Sequence, residues 1–582
     1  MASTSNIREI SISEFFAKNR HLLGFDNPLK ALLTAVREAV DNSLDACEEA
    51  GIMPEIIVEI KAESNSQFAV SITDNGPGIS KAHLGNIFGK LLYGSKFHRL
   101  RQSRGQQGIG ISAAVMYGQM TTGKSALIIS KTSSKHPVHE IELQIDTKKN
   151  MPKILKDREN HDPVWAEKKS GTKITIHLEG AYKEGRHGIL SYLSQTALSN
   201  PHANLLYIDP KGDKHPFPRV MTTLPKAPLE IKRHPHGVEI GLLMQLLQDA
   251  KKQTLGTFLK TEFSRVSDAA AAEIVKAAGL ALGKPSQGLA RAEAEKLYQA
   301  IQATKLLPPP TNCLSPLGED NLMKALYWLF VESQRWDEEE QLSLVTGGTG
   351  IAAKPEKKGQ SQFEFATAET EMQSRQVEAG EDGAIASRED GYFVTAVTRP
   401  PFVYRGNPFQ VEVGLFYGKG LKADGLMQVY RYANRVPLQY QASACAMTKA
   451  ALSVPWKSYN LDQSRGALPT GPVVVVMHVA SVWVPYTSES KEAIAHYPEI
   501  LKEFRLALME AGRRLQRYLR HQKRQAEEAK KRGYIEKYLN PIGEALQSIL
   551  QLSAAEKAKT IENLTHLLEK NYGQKKPEQK RA

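Results

Sequence analysis

Apolar positions along the chain change period several times, and each change marks an element. In LLTAVREAVDNSLDACEEA, Leu33, Val36, Val40 and Leu44 recur at three-to-four spacing and predict a helix with one face toward a core. QFAVSIT alternates, so Asp74 is expected where a strand meets a turn. Gly105, Gly108 and Gly110 lead into ISAAVMYG, the pattern of a loop that opens a helix. Ile231 to Ala303 reads as a small helical, alanine-rich module punctuated by Gly, Pro and Ser. Alternating strands follow in YFVTAVTRPPFVYRGNPFQVEVGLFYG and lead to Val429–Tyr440. Pro472–Met477, within PVVVVMHVASVWVPY, is expected to be a buried strand, being too short for a membrane span. From Glu499 a long helical pattern takes over, and strands followed by long helices predict an α+β multidomain chain.

At 582 residues the chain has room for roughly three to four domains. The stretch Pro225 to Leu229, in PKAPLE, reads as a linker, and PPPTNCLSP, Pro308 to Pro316, as a rigid turn-forming start. The expected units are 1–228, 229–306, 307–532 and a helical tail 533–582, with 336–390, acidic and poor in large apolar residues, as a mobile insertion. Lys and Arg number 76 against 63 Asp and Glu, a formal charge of +13, which favours polyanionic partners, nucleic acid before membrane. Cys47, Cys313 and Cys445 stand far apart with no CxxC pair, which argues against a disulfide framework or zinc site and fits a reducing cytoplasm. No signal peptide is expected, because MASTSNIREISISEFF lacks a basic region followed by an apolar block.

Candidate chemistry lies in the first domain. At about 100° per residue, Glu38, Asn42 and Asp45 share one sector of the first helix, opposite its apolar stripe. A carboxylate there can orient and deprotonate a water, and an amide oxygen suits Mg²⁺. The same residues would also serve as a solvated polar face. Asp74, in DNGPGI, can accept from an adenine amine while Gly76 and Gly78 allow close backbone approach, although DNG is a turn signal anywhere. In GQQGIGIS, Gly105, Gln106, Gln107, Gly108, Ile109, Gly110, Ile111 and Ser112 form a loop whose helix start leaves N–H groups for phosphate. The spacing matches neither the dinucleotide fingerprint nor the Walker motif. Ser95 and Lys96, just before it, add a hydroxyl and a cation; Lys96 reads equally as a solvated lysine.

In this order, and followed by Gly171-Thr172, the segments resemble the Bergerat ATP-binding fold of the GHKL ATPases: gyrase, MutL, the large heat-shock chaperones and histidine kinases. The resemblance implies Glu38 as general base, Asn42 as Mg²⁺ ligand, Asp74 as adenine reader, Gly105–Ser112 as phosphate lid, and Thr172 as a second adenine contact. PPPTNCLSP, YRGNPF, ANRVPL and SESKEAIA extend the likeness to the B subunits of type IIB DNA topoisomerase along most of the chain. That family implies a helix-two-turns-helix domain and a ribosomal S5-like transducer domain. Lys491, expected after a strand and turn at the start of a helix, would reach the γ-phosphate; on pattern alone it is a solvated lysine balanced by Glu489 and Glu492.

The likeness further implies self-dimerisation on ATP, double-stranded DNA as substrate, and a separate A subunit that cuts DNA in an A2B2 heterotetramer at the nucleoid. Trp456, Lys457 and Tyr459 resemble a family WKxY element, and Lys183 and Arg186 occupy a basic-loop position, as candidate DNA contacts. Buried aromatic packing is the other reading of Trp456 and Tyr459, and Glu184 dilutes the basic loop. The tract Arg513–Arg532 fits either a DNA or partner surface or a solvated stalk helix. An ATP-gated clamp of chaperone-like or mismatch-repair-like type, or a nucleotide-binding scaffold without hydrolysis, is the alternative function.

Overall fold

Side chains of QFAVSITD alternate between core and surface, and this strand lies inside the first of two large sheets. The computed structural model describes residues 10–94, 99–105, 108–185, 187–250, 252–333, 383–387, 391–488 and 491–572. The first sheet contains β1 (Glu55–Ala62), β2 (Gln67–Asp74), β3 (Ala126–Lys131), β4 (His139–Asp146), β5 (Met151–Glu159), β6 (Gly171–Glu179), β7 (Asn204–Ile208) and β8 (Lys214–Phe217). Among the described residues these eight strands follow the order β5-β4-β3-β6-β2-β1-β7-β8. Its neighbours pair antiparallel except β1 and β7, which run parallel.

The helices of this unit are α1 (Ile12–Lys18), α2 (Pro28–Glu49), α3 (Lys81–Gly89), α4 (Gly110–Thr122), α5 (Pro163–Glu167) and α6 (Ile189–Ser199). Asn27 starts α2: its side chain accepts from the N–H of Lys30, and Pro28 occupies the first turn, where a missing N–H costs nothing. Leu33, Val36, Val40 and Leu44 then enter one core with Val70, Ile72, Val115, Ile174 and Leu193, which fixes α2 and α4 over the sheet. Register matters for the site. Thr73 of β2 lies opposite Lys173 of β6, so Asp74 and Thr172 meet at the end of the pair.

The helices Ile240–Asp249, Leu255–Glu262, Asp268–Ala277 and Arg291–Ala303 pack around a separate core that includes Phe258, Ile274 and Leu297. Thr254 and Ser267 cap the second and third of them.

The second sheet contains β9 (Ala384–Ser387), β10 (Tyr392–Thr398), β11 (Phe402–Tyr404), β12 (Asn407–Gly418), β13 (Gln428–Ala433) and β14 (Val436–Pro437). After the ribbon of β15 (Asp462–Gln463) and β16 (Pro469–Thr470) it is completed by β17 (Val473–Ser481). The order is β14-β13-β17-β12-β10-β9, with β11 on β12. Every residue of β17 is buried. Val473, Val475, Met477 and Val479 join one core with the helix Pro498–Leu550, while Val474 and Val476 face a second core with the helix Glu319–Tyr327. A strand covered on both faces has no polar side to show, hence the unbroken valine run.

Three expectations are corrected here. Most of the expected insertion lies outside the described residues, but Ala384–Ser387, near its end, is an edge strand antiparallel to β10, held by buried Ile385. The boundary expected at 532 falls inside a single 53-residue helix, Pro498–Leu550, in which Arg532 pairs with Glu536 and which runs through Pro541 to the left-handed Gln551. Its basic tract is partly neutralised within the helix by Arg513–Glu510 and Arg524–Glu528 pairs. Trp456 and Tyr459 are core residues: Trp456 is 0% exposed and its indole N–H donates to the carbonyl of Ala451 at 2.9 Å. Tyr459 lies so close over Gly512 that a Cβ there would meet its ring at 2.6 Å. Neither ring can stack on DNA, whereas Lys457 between them is exposed.

Trp456→Ala should therefore destabilise this domain by about 3–5 kcal/mol in urea unfolding. Lys457→Ala should stay within about 0.5 kcal/mol of wild type. Equal midpoints for the two variants would remove the tryptophan from the core.

Candidate functional site

α2 carries the chemistry on the face left over by its apolar stripe. Glu38 is half-buried, and its carboxylate lies where a Cβ on Gly110 would be, 1.8 Å from Glu38 Oε2. Only glycine lets the start of α4 approach the acid this closely. Burial pushes the Glu38 carboxyl up, but Lys491 and then Arg37 outweigh it and hold the group below its ordinary value. Arg37 makes a 3.1 Å ion pair with it. Asn42, one turn on, is exposed, and a Cβ on Gly105 would stand 3.7 Å from its Oδ1, in ordinary van der Waals contact. Glu38 and Asn42 thus border the two ends of the glycine loop.

That loop opens α4 at Gly110, with Ile109 preceding it and no side-chain cap, so the first N–H groups are free of side-chain acceptors. Gly108 has φ 56, and Ile111 and Ser112 turn inward, Ser112 donating to the carbonyl of Ile109 at 2.9 Å. An uncapped helix start of this kind suits phosphate oxygens. Ser95, Lys96, Gln106 and Gln107 lie outside the described residues, as does Arg186. Lys183 is exposed on its loop.

At the other side of α2, Asp74 ends β2 as a buried carboxylate. It accepts from Gly76 N at 3.0 Å, Thr172 N at 3.1 Å and Ser43 Oγ at 2.9 Å. Burial still leaves its carboxyl above the ordinary value despite these bonds. Gly78 has φ 68, and a Cβ there would stand 2.0 Å from the carbonyl of Lys131. These contacts hold one acidic group rigidly at the end of β2, inside the sheet.

Lys491 reaches the site from the second sheet's domain. It is 7% exposed and donates to the carbonyl of Arg104, 387 positions away, at 3.4 Å. It was expected at a helix start; instead it sits in an irregular segment with φ 53. Tyr486 and Ile494 form a bridge around it, and Pro498 defers the helix. Its neighbour Glu492 pairs with Lys30 on α2.

Five residues escaped the sequence reading. Arg104, just before the loop, is 4% exposed and donates to Asp45 at 2.7 Å and to Glu48 at 3.1 and 2.6 Å. Asp45, expected at the nucleotide, is thus committed to this guanidinium. His202 joins Glu48 at 2.7 Å, and Ser43 braces Asp74 as described. Asp41 is buried between Glu38 and Tyr192, whose hydroxyl donates to it at 3.4 Å. Burial first, then the charge of Glu38, pushes the Asp41 carboxyl up to about 7. The usable hint was position: an arginine beside a glycine loop and an acid one turn from a candidate base.

Residues 30–172 match the family model of histidine kinase-, DNA gyrase B- and HSP90-like ATPases, and residues 379–531 match that of the topoisomerase VI B subunit transducer. The chain is 44% identical to the B subunit of type 2 DNA topoisomerase 6 from Archaeoglobus fulgidus, covering 94% of this chain and 80% of that protein. It is 41% identical to the Methanosarcina mazei protein of the same name, over 97% and 82% of the two chains. Identity to the Thermococcus kodakarensis one is 37%, over 94% and 92%. Among the described residues no helix is long and apolar enough to cross a membrane.

The raised Asp41 carboxyl has a checkable sign. The folded protein binds this proton more tightly than the unfolded chain, so stability is highest below the ordinary carboxylate range and falls as pH climbs toward 7. Asp41→Asn removes that cost. Its melting temperature should exceed that of wild type by a margin that widens from about pH 5 to about pH 8. A margin independent of pH would show that Asp41 titrates normally.

Proposed function

This chain belongs to the B subunits of type 2 DNA topoisomerase 6, and from that premise we propose how its ATP site works and what it drives. The chain is the ATP-binding subunit of a type IIB topoisomerase. The observation that carries the mechanism is convergence: Glu38, the uncapped start of α4 and Lys491 meet, although they come from two domains. Asp74, braced by Ser43, Gly76 and Thr172, reads the adenine amine. The Gly105–Ser112 loop and the first N–H groups of α4 take the phosphates. Glu38, kept ionised, orients a water and accepts its proton as the γ-phosphate is attacked.

Among the described residues no group of three His, Cys, Asp or Glu could hold a metal, and exposed Asn42 beside Gly105 offers a single amide oxygen. That donor set fits Mg²⁺, which takes few protein ligands and shares phosphate oxygens. Asn42 would hold it, and the ion when bound would offset phosphate charge. Lys491 distinguishes ATP from ADP by contacting the γ-phosphate, giving the two nucleotides different contacts in the two domains.

Closure of the transducer on ATP would draw two B subunits together around duplex DNA and signal to a separate A subunit that cuts a second duplex, in an A2B2 assembly in the cytoplasm. Exposed Lys183 and Lys457 are candidate phosphate contacts, which would be salt-sensitive and blind to sequence.

The pure chain should not decatenate DNA, and adding a cognate A subunit should produce ATP-dependent decatenation; a reconstituted, cleavage-competent mixture that fails to do so refutes this reading. Glu38→Gln should lower kcat for ATP by about 10²–10⁴-fold while ATP binding persists. Wild-type turnover by that variant would exclude Glu38 as the base.

A further inference from the structure

Two side chains of the transducer domain hold consecutive carbonyls at the entrance to the phosphate loop. Asn434 Nδ2 donates to Ser103 O at 3.1 Å, and Lys491 Nζ donates to Arg104 O at 3.4 Å. Asn434 and Arg435 are the tip of the β13–β14 hairpin, with φ 48 and 69, the left-handed pair that a tight two-residue turn requires. The tip is wedged against the end of α6, where Ser199 Oγ donates to Arg435 O at 2.7 Å. Arg435 Nη2 donates to Ser315 Oγ at 2.8 Å, and its Nη1 lies 3.7 Å from Glu48 Oε2.

Glu48 is the carboxylate that also takes Arg104 in two bonds. Arg104 and Arg435 are 4% and 5% exposed, so two buried guanidinium groups lean on one acid. Such a group is strongly dependent on every member, because losing one leaves a buried charge unmatched. Burial, and then Arg104 against the pull of Glu48, hold the Arg435 guanidinium below its ordinary value, whereas the Glu48 carboxyl is held well down, chiefly by Arg104 against its burial.

We infer that the Asn434–Arg435 tip is a positioning element for hydrolysis: by gripping Ser103 and Glu48 it fixes Arg104, and through Arg104 it sets where Lys491 can reach. Arg435 touches no substrate in this role. It acts by keeping the transducer and the loop entrance in one register, so that a nucleotide that engages Lys491 moves both domains together. The inference rests on the proposed contact between Lys491 and the γ-phosphate.

The test is ATP hydrolysis by the full chain carrying Arg435→Gln, Lys491→Ala, both, or Arg435→Lys. Arg435→Gln should lower kcat about tenfold with KM for ATP within about threefold of wild type, and the double variant should be no slower than Lys491→Ala alone. Arg435→Lys, which restores the charge, should recover part of the loss. A folding defect would appear as lost circular dichroism, and isosteric Glu48→Gln should then give the same kcat-selective, non-additive signature. Unchanged kcat in Arg435→Gln beside an impaired Lys491→Ala overturns the inference alone, as does a loss that multiplies with that of Lys491→Ala. Wild-type turnover by Lys491→Ala overturns the lysine's proposed role and this inference with it.

Discussion

A guanidinium sealed from water keeps its charge, so carboxylates must meet it at close range, and Arg104 imposes that condition on the junction of the two domains. Asp45 and Glu48 satisfy it because they stand one turn apart on α2 and so point the same way. Asn200, at the end of α6, accepts a further bond from the same group. Sliding α2 by one residue would strand the charge at a cost of about 3–5 kcal/mol, the usual penalty for breaking a buried pair. Glu38 and Asn42 ride on the same helix. Their placement at the glycine loop is therefore set by an ion pair two turns away as much as by the apolar stripe beneath them.

The same helix separates two acids that differ by one turn. Asp41 is buried and lies under the field of Glu38, which raises its carboxyl to about 7; Glu38 is partly buried too, yet Lys491 and Arg37 hold it down. Environments that push neighbouring carboxyls in opposite directions assign them different work. Glu38 is the one that stays ionised near neutral pH and so can accept a proton. Because Lys491 contributes to that state, the transducer domain bears on the charge of Glu38.

Local pattern made much of this legible. The stripe from Leu33 to Leu44, the strand ending at Asp74 and the glycine loop before α4 each follow from residues within a few positions of one another, and so does the valine run of β17. The rest depended on partners remote in sequence. Nothing near Arg104 announces that Lys491 and Asn434 will hold this stretch of backbone from 387 and 331 positions away. SESKEAIA has the composition of a helix start, but its described part from Lys491 onward stays irregular until Pro498, with Tyr486 bridged to Ile494. WKSY has the composition of a nucleic-acid contact, and only the packing of Tyr459 on Gly512 reveals that its aromatics face inward. The end of the insertion was similarly hidden, since AIAS is too short to signal a strand without β10 beside it.

Topology explains why two separate transducer segments arrive at one place. β13 and β17 run parallel, with Ala433 opposite Val479, so the hairpin tip after β13 and the segment after β17 leave the sheet at the same end. Asn434 and Ser481 join the two exits by reciprocal bonds of 2.9 and 3.0 Å. At the hairpin, the backbone N–H of Arg435 can only donate, so His478 Nε2 must accept it and Nδ1 must donate to Glu412. Glu412 in turn accepts from the backbone of Leu317 and Gly318, at the start of the helix Glu319–Tyr327. Most of these links are buried, and close-packed interiors yield by switching arrangement more readily than by stretching. On the proposed contact, a shift of Lys491 toward phosphate would therefore load this network as well as the segment that carries the lysine. That segment links β17 to the helix beginning at Pro498, whose first turns share a core with the strand and pack on β12 and β10, and whose 53 residues, Pro541 among them, extend for about 80 Å. By the same proposal, an ångström-scale displacement at the nucleotide would be applied near the base of a long lever, which is the geometry needed to act on something far from the ATP site.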